Sequence, residues 1–177
     1  MPLKVQLAGA CAIAAIVASG AAQAADYYLL AANPNQIALI DLEAITAGPD
    51  GQPAAPVVFI RRAPQTNGIR FAYDVIQSEF DCSHRKAAAE GMTLFDADGR
   101  PSANQVPPPA TPTWMDVQPD SQAEAALNLV CAKPEARGAI AFRMKGLPLD
   151  KIVTSVFDGS WPYDDVLARR QAAPKPQ

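Results

Sequence analysis

The chain has 177 residues, 49% of them hydrophobic and 19% charged, with a net charge of −3 at pH 7. That length suits one domain with a core of its own. The mild acidity and the lack of a basic stripe exclude the electrostatic footprint of a nucleic-acid binder or of a protein held on an anionic membrane.

In chain order, Met1–Ala24 reads as a secretory signal peptide. Lys4 is its one charge, Leu7–Ala18 is its apolar run, and Ala22-Gln23-Ala24 is a small-x-small cleavage site. The run is too short to span a bilayer, so no transmembrane segment is expected after cleavage. Cys11 leaves with it. The exported chain then carries two thiols, Cys82 and Cys131, into an oxidising compartment, where a disulfide between them is the default.

The next two-thirds read as β-structure. Tyr27–Ala31 and Ile37–Asp41 are strands joined by Asn33-Pro34-Asn35. Val57–Arg62 is a third, with Val58 and Ile60 opposite Val57 and Phe59. Asn67-Gly68 is a hairpin signal. A long strand follows from Ile69 to about Cys82, and its apolar phase shifts midway. Either a bulge near Asp74-Val75 rotates it, or both of its faces are buried. Lys86–Phe95 is a fifth strand, and Asp98-Gly99 turns the chain away. Trp114–Val117 reads as a short edge piece.

The 17 prolines cluster at 49–64, 101–119 and 174–176, stretches expected to be stiff connections rather than helix interiors or central strands. Ser121-x-x-Glu124 then has capping-box spacing. Ala123, Leu127, Val130 and Cys131 follow at helical intervals until Pro134, which puts Cys131 on the apolar face of a short helix. A disulfide to Cys82 would staple that helix to the sheet. The alternation of Ile140, Phe142 and Met144 suggests a strand over 139–145. Leu149, Ile152, Val153, Val156 and Phe157 predict a helix over 149–157. Tyr163–Gln171 reads as a last helix, with Asp164-Asp165 as N-terminal charges, and 172–177 as a disordered tail.

Catalytic chemistry finds little support. Cys82 and His84, with Asp81 adjacent, would need a free thiolate, and the thiol is expected to be oxidised. One histidine and no further thiols argue against zinc. Asp96-x-Asp98-Gly99 begins like a calcium loop but lacks the later ligands, so a turn explains it better. No Gly-rich phosphate loop is present, and no cofactor is expected. Trp114 and Trp161 stand beside prolines. Each is a candidate binding residue, weighed against a role as a loop anchor. Pro107-Pro108-Pro109 is read as a spacer in preference to a polyproline ligand.

An ordered set of segments resembles the surface-adhesin protein E family of small secreted bacterial proteins. It runs from Tyr27-Tyr28 through Ile37–Ile45, Ser78-Glu79-Phe80-Asp81-Cys82-Ser83-His84-Arg85 and Trp114–Ser121 to Leu129-Val130-Cys131. The resemblance implies an antiparallel sheet with a helix tethered across one face by Cys82–Cys131. It also implies surface attachment through host matrix and serum proteins, and a capacity to form a homodimer. It stops at Cys131.

The expected fold is therefore α+β: five or six antiparallel strands, a disulfide-tethered helix and a C-terminal helical extension. The expected organisation is a signal peptide over 1–24, a β-domain over 25–133, a separable extension over 134–171 and a tail over 172–177. The leading functional expectation is a non-catalytic exported module that binds an envelope or extracellular-matrix protein, in the periplasm or on the outer surface of a Gram-negative bacterium. The alternative is a periplasmic structural or envelope-stress protein with no external ligand. A hydrolase ranks third.

Overall fold

The computed structural model describes residues 27–33, 36–61, 72–96, 98–103, 106–144 and 146–161. The leader, the Asn67-Gly68 hairpin, the helix expected over 163–171 and the tail lie outside these residues. In chain order the strands are β1 (Tyr27–Asn33), β2 (Gln36–Asp41), β3 (Thr46–Ala47), β4 (Pro53–Arg61), β5 (Tyr73–Asp81), β6 (Lys86–Phe95), β7 (Met115–Asp116) and β8 (Arg143–Met144). They form one antiparallel sheet of order β7-β6-β5-β4-β2-β1-β8, with β3 beside β4. Five strands are long, and three two-residue pieces raise the described total to eight. The helices are α1 (Gln122–Cys131), α2 (Arg137–Ile140) and α3 (Leu149–Asp158), with a 3-10 turn at Pro134–Ala136.

Alternation along the strands builds two cores. Tyr27, Leu29, Ile37, Leu39, Val58 and Ile60 point to the face where Ile152, Val153 and Val156 of α3 pack. Their neighbours Tyr28, Leu30, Ala38, Ile40 and Val57 point to the face covered by Leu127, Leu129 and Val130 of α1. A sheet buried on both sides explains the unbroken apolar run Ile37–Ile40. The stripe predicted for α3 is thus buried on the sheet's second face, with Met144 of β8 beside it.

Burial of both faces also settles the apparent phase shift in β5. Tyr73 and Val75 serve the α3 side, while Ile76 and Phe80 serve the α1 side, in regular alternation. The bulge lies in β6 instead of at Asp74-Val75. Gln77 pairs with Gly91 and Ser78 with Ala89, leaving Glu90 as the extra residue. β5 also ends at Asp81, so Cys82 and His84 sit in a turn rather than on a strand.

Two expectations about proline are corrected. β4 begins at Pro53 and runs through Pro56, inside the sheet. Pro56 pairs with Gln77 of β5, but on its other side β2 has ended at the Val57–Ile40 pair and β3 starts only at Ala54. Its missing N–H therefore costs no ladder bond on that side. The second proline cluster is a strap along β6. Met92 and Val106 exchange backbone hydrogen bonds of 3.0 and 2.9 Å, and Ser102 N–H donates to Leu94 O at 2.7 Å. A Cβ on Gly91 would lie 3.2 Å from both Pro108 N and Val106 O, so glycine lets the strap lie close. Strap and β7 together cover a strand edge that would otherwise invite pairing.

The strand expected over 139–145 is also corrected. Arg137–Ile140 is a helical turn, and among the described residues of this stretch Arg143 and Met144 pair with Tyr28 and Tyr27 of β1, while Phe142 O accepts from Leu29 N–H at 2.9 Å. Ile140 packs on the α1 side of the sheet, whereas Phe142 and Met144 join the α3 side. The segment carries the chain around the sheet's edge, and its alternation reflects that passage.

Candidate binding surface

The surface is built around α1 and its tether. Cys82 and Cys131 are disulfide-bonded, with Cα atoms 5.6 Å apart and 49 positions between them in sequence. Both cysteines are exposed, so the bridge lies at the rim of the domain and Cys131 is not on the buried stripe as expected. Ser121 caps α1 as its spacing predicts, its Oγ accepting from Glu124 N–H at 3.1 Å. Glu124 reaches back to accept from Asp120 N–H at 2.8 Å, one residue before the usual capping-box partner. At the other end, Arg137 Nε donates to Leu129 O at 3.2 Å.

The turn after β5 is organised by Asp81. Its Oδ1 accepts from Ser83 N–H, Ser83 Oγ and His84 N–H at 2.9, 2.8 and 2.9 Å. Its Oδ2 lies 2.7 Å from His84 Nδ1. The His84 N–H above all, then the Ser83 hydroxyl and the His84 ring, hold the Asp81 carboxyl well below the usual range. The stability this confers is present at neutral pH and is lost as pH falls through the depressed value. Arg85 closes the turn in the left-handed region, at φ 54°, and donates to Glu124 Oε1 at 2.6 Å. Cysteine, arginine and capping glutamate thus fix α1 to the end of the β5–β6 hairpin. The Cys82/His84 pair has no free thiol.

Beside α1 the sheet is incompletely covered. An apolar cleft of about 180 Å³ opens there. Its floor is Phe59, Ile76, Phe80 and Ala89, its wall is Ala123 and Ala126 of α1, and Met115 stands on the rim. Small residues on both β6 and α1 leave the hollow. Met115 is 61% exposed, which is high for so large an apolar side chain. Near Phe59, Arg61 lies over the ring at 5.5 Å from its centroid and pairs with the buried Asp74.

The two tryptophans have separate settings. The Trp114 indole donates to Asp50 Oδ2 at 3.2 Å, joining the strap to the β3–β4 turn. Trp161 packs against the α3-side core, and its backbone N–H donates to Ser155 O at 2.9 Å. The structure does not bring them together. A second, polar hollow of about 360 Å³ lies between the 98–100 turn and α3, lined by Tyr73, Asp98, Arg100, Asp150 and Thr154. Asp96 there accepts from the N–H groups of Asp98 and Arg100 at 3.0 and 2.8 Å, the geometry of a turn. Burial, then the charge of Asp96, pushes the Tyr73 hydroxyl up. Among the described residues, no group of three or more Asp, Glu, His or Cys side chains is placed to hold a metal ion.

Sequence reading missed the acidic residues Glu79 and Glu90. Glu79 is fully buried, yet sits in a strand between Ser78 and Phe80. Glu90 is the bulged residue of β6. A signal was available: a glutamate at a core-facing strand position, and a Glu-Gly pair within a strand, the latter a common mark of a bulge.

Among the described residues no helix is long and apolar enough to cross a membrane. No curated protein and no solved structure matches the chain. The sequence model for surface-adhesin protein E matches residues 28–132, more than half of the chain, from β1 to the end of the tethered helix. With its sheet, stapled helix and ordered motifs in place, the chain belongs to the surface-adhesin protein E family, to which an adhesin-like surface role attaches.

Proposed function

We propose that the protein is a non-catalytic, exported binding module that holds an extracellular or envelope protein through the cleft beside α1. The observation that carries this reading is the cleft itself: an apolar hollow on a disulfide-fixed helix, with an exposed methionine on its rim. A rigid hollow of this kind takes an apolar side chain of a partner with little ordering cost. Met adapts to varied partners. Trp114 adjoins Met115 in sequence but does not line the cleft, since its indole is turned to Asp50. The setting of Trp161 supports an anchoring role for that residue instead.

Protease shaving of intact cells tests where the module works. Treatment that leaves a periplasmic marker untouched is expected to remove this protein from the outer surface. Full protection, with digestion only after the outer membrane is permeabilised, would favour a periplasmic structural protein with no external ligand.

A further inference from the structure

We propose that Glu79 and Glu90 share one proton and, with Asp50 and Trp114, form a pH-sensitive latch that clasps the β3–β4 turn and the strap in acid and lets go as pH rises.

The geometry is that of two carboxyl groups short of a donor. Glu79 is 0% exposed. Its Oε1 accepts from Asp50 N–H at 3.2 Å, which seats the turn on the sheet. Its Oε2 is buried without a partner, and so is Oε1 of Glu90. The β6 bulge sets Glu90 beside Glu79, close enough for a hydrogen bond between the two carboxyls. Two carboxylates are acceptors only, so this bond exists only while a proton is held between them. Any side chain at Gly48 would strike the Glu79 carboxyl, so the turn closes tightly over it. From the outer side the Trp114 indole fixes Asp50.

Among the described residues, the charged groups shown against the pair are acidic: Asp50 from the turn, Glu79 from β5 and Glu90 from β6. The ion pairs among the described residues all lie elsewhere. Burial first, then the bond to Glu79 and the charges of Glu79 and Asp50, raise Glu90 above the usual glutamate range. A group raised in the folded state stabilises fully below its unfolded value, and that stability is lost as pH climbs through the folded one. The latch is therefore closed in acid. Opening it frees Trp114 and with it the neighbouring Met115, so one consequence, which rests on the proposed binding role, is a cleft whose rim loosens toward neutral pH. The latch itself does not depend on that role.

The test is an NMR titration of the labelled chain from pH 4 to 8, following the Glu79 and Glu90 carboxyl carbons, the Asp50 amide and the Trp114 indole N–H. The expected result is a Glu90 step with its midpoint above the ordinary glutamate value of about 4.3, with the signals of Glu79, the Asp50 amide and the Trp114 indole changing across that same step. Asp50 amide exchange, corrected for its intrinsic pH dependence, should quicken across that step. In Glu90→Gln the side-chain amide donates to Glu79 at every pH, so the step should vanish and the Asp50 amide should stay protected to pH 8. Glu79→Gln should lock the latch in the same way and serves if the first variant does not fold. Independent titrations with ordinary midpoints, or a step that persists in the glutamine variants, would overturn the proposal. No binding measurement enters, so a failed latch and a failed binding role are told apart.

Discussion

Cutting the chain after Lys133 is expected to abolish the cooperative thermal transition. The cut removes Met144, Ile152, Val153 and Val156, all buried on the α3 face of the sheet. At roughly 1.5–3 kcal/mol for each large side chain fully covered, the loss is about 6–12 kcal/mol as an upper estimate. Whole domains are stable by only about 5–15 kcal/mol. The cut also uncovers Leu29, Leu39, Val58 and Ile60, which would then face water as one apolar patch. We therefore expect residues 27–161 to fold as one unit, although the family match ends at 132. Circular dichroism melts of the full and shortened chains check this. A soluble, cooperatively melting 1–133 fragment would make the extension a separable addition after all. Ile152→Ala is the graded version, expected to cost about 2–5 kcal/mol.

Removing the staple is the second large effect. A disulfide closing 49 positions restricts the unfolded chain by about 4 kcal/mol in the chain-entropy account. Both cysteines are exposed, so mild reductant should reach the bond without prior unfolding. The Cys82→Ser, Cys131→Ser double variant should keep a capped α1, because Ser121, Glu124 and the buried Leu127 and Leu129 remain. Its midpoint in denaturant should fall, and the slope should rise modestly, because the unlinked chain unfolds to a more open state that exposes more surface. An unchanged midpoint would mean that the Arg85–Glu124 contact and the core hold the helix unaided.

The long strands and both amphipathic helices were legible because local signals and tertiary demands agree there. Lys86–Phe95 starts and stops where the turn residues around it say. Ser121 caps α1, and the i, i+3, i+4 stripe of α3 is the stripe it buries. Illegible features depend on neighbours distant in sequence. Pro56 is tolerated within a strand only because β2 and β3 leave a gap beside it. The 101–109 prolines form an edge cover only because Gly91 lets them approach β6. The alternation at 140–144 imitates a strand while the chain wraps around an edge.

The candidate site follows the same division. The disulfide was legible from compartment and cysteine count. The turn holding it was not, since it depends on four contacts converging on the Asp81 carboxylate. The cleft left no sequence signature, because alanines on β6 and on α1 become a hollow only when the two elements meet. Glu79 and Glu90 are eleven positions apart, and a bulge brings their carboxyls together.

The most direct test of the binding role is adhesion of the purified protein, at fixed pH, to immobilised serum and basement-membrane proteins, native against Ala123→Trp. The new indole fills the cleft from the α1 wall without touching the disulfide, the Ser121 cap or the latch. Saturable native binding that falls at least about tenfold in the variant, a loss of about 1.4 kcal/mol, with the two melting curves superimposed, is the predicted result. Equal binding by both proteins, or no native binding to any matrix or serum component, would contradict the account.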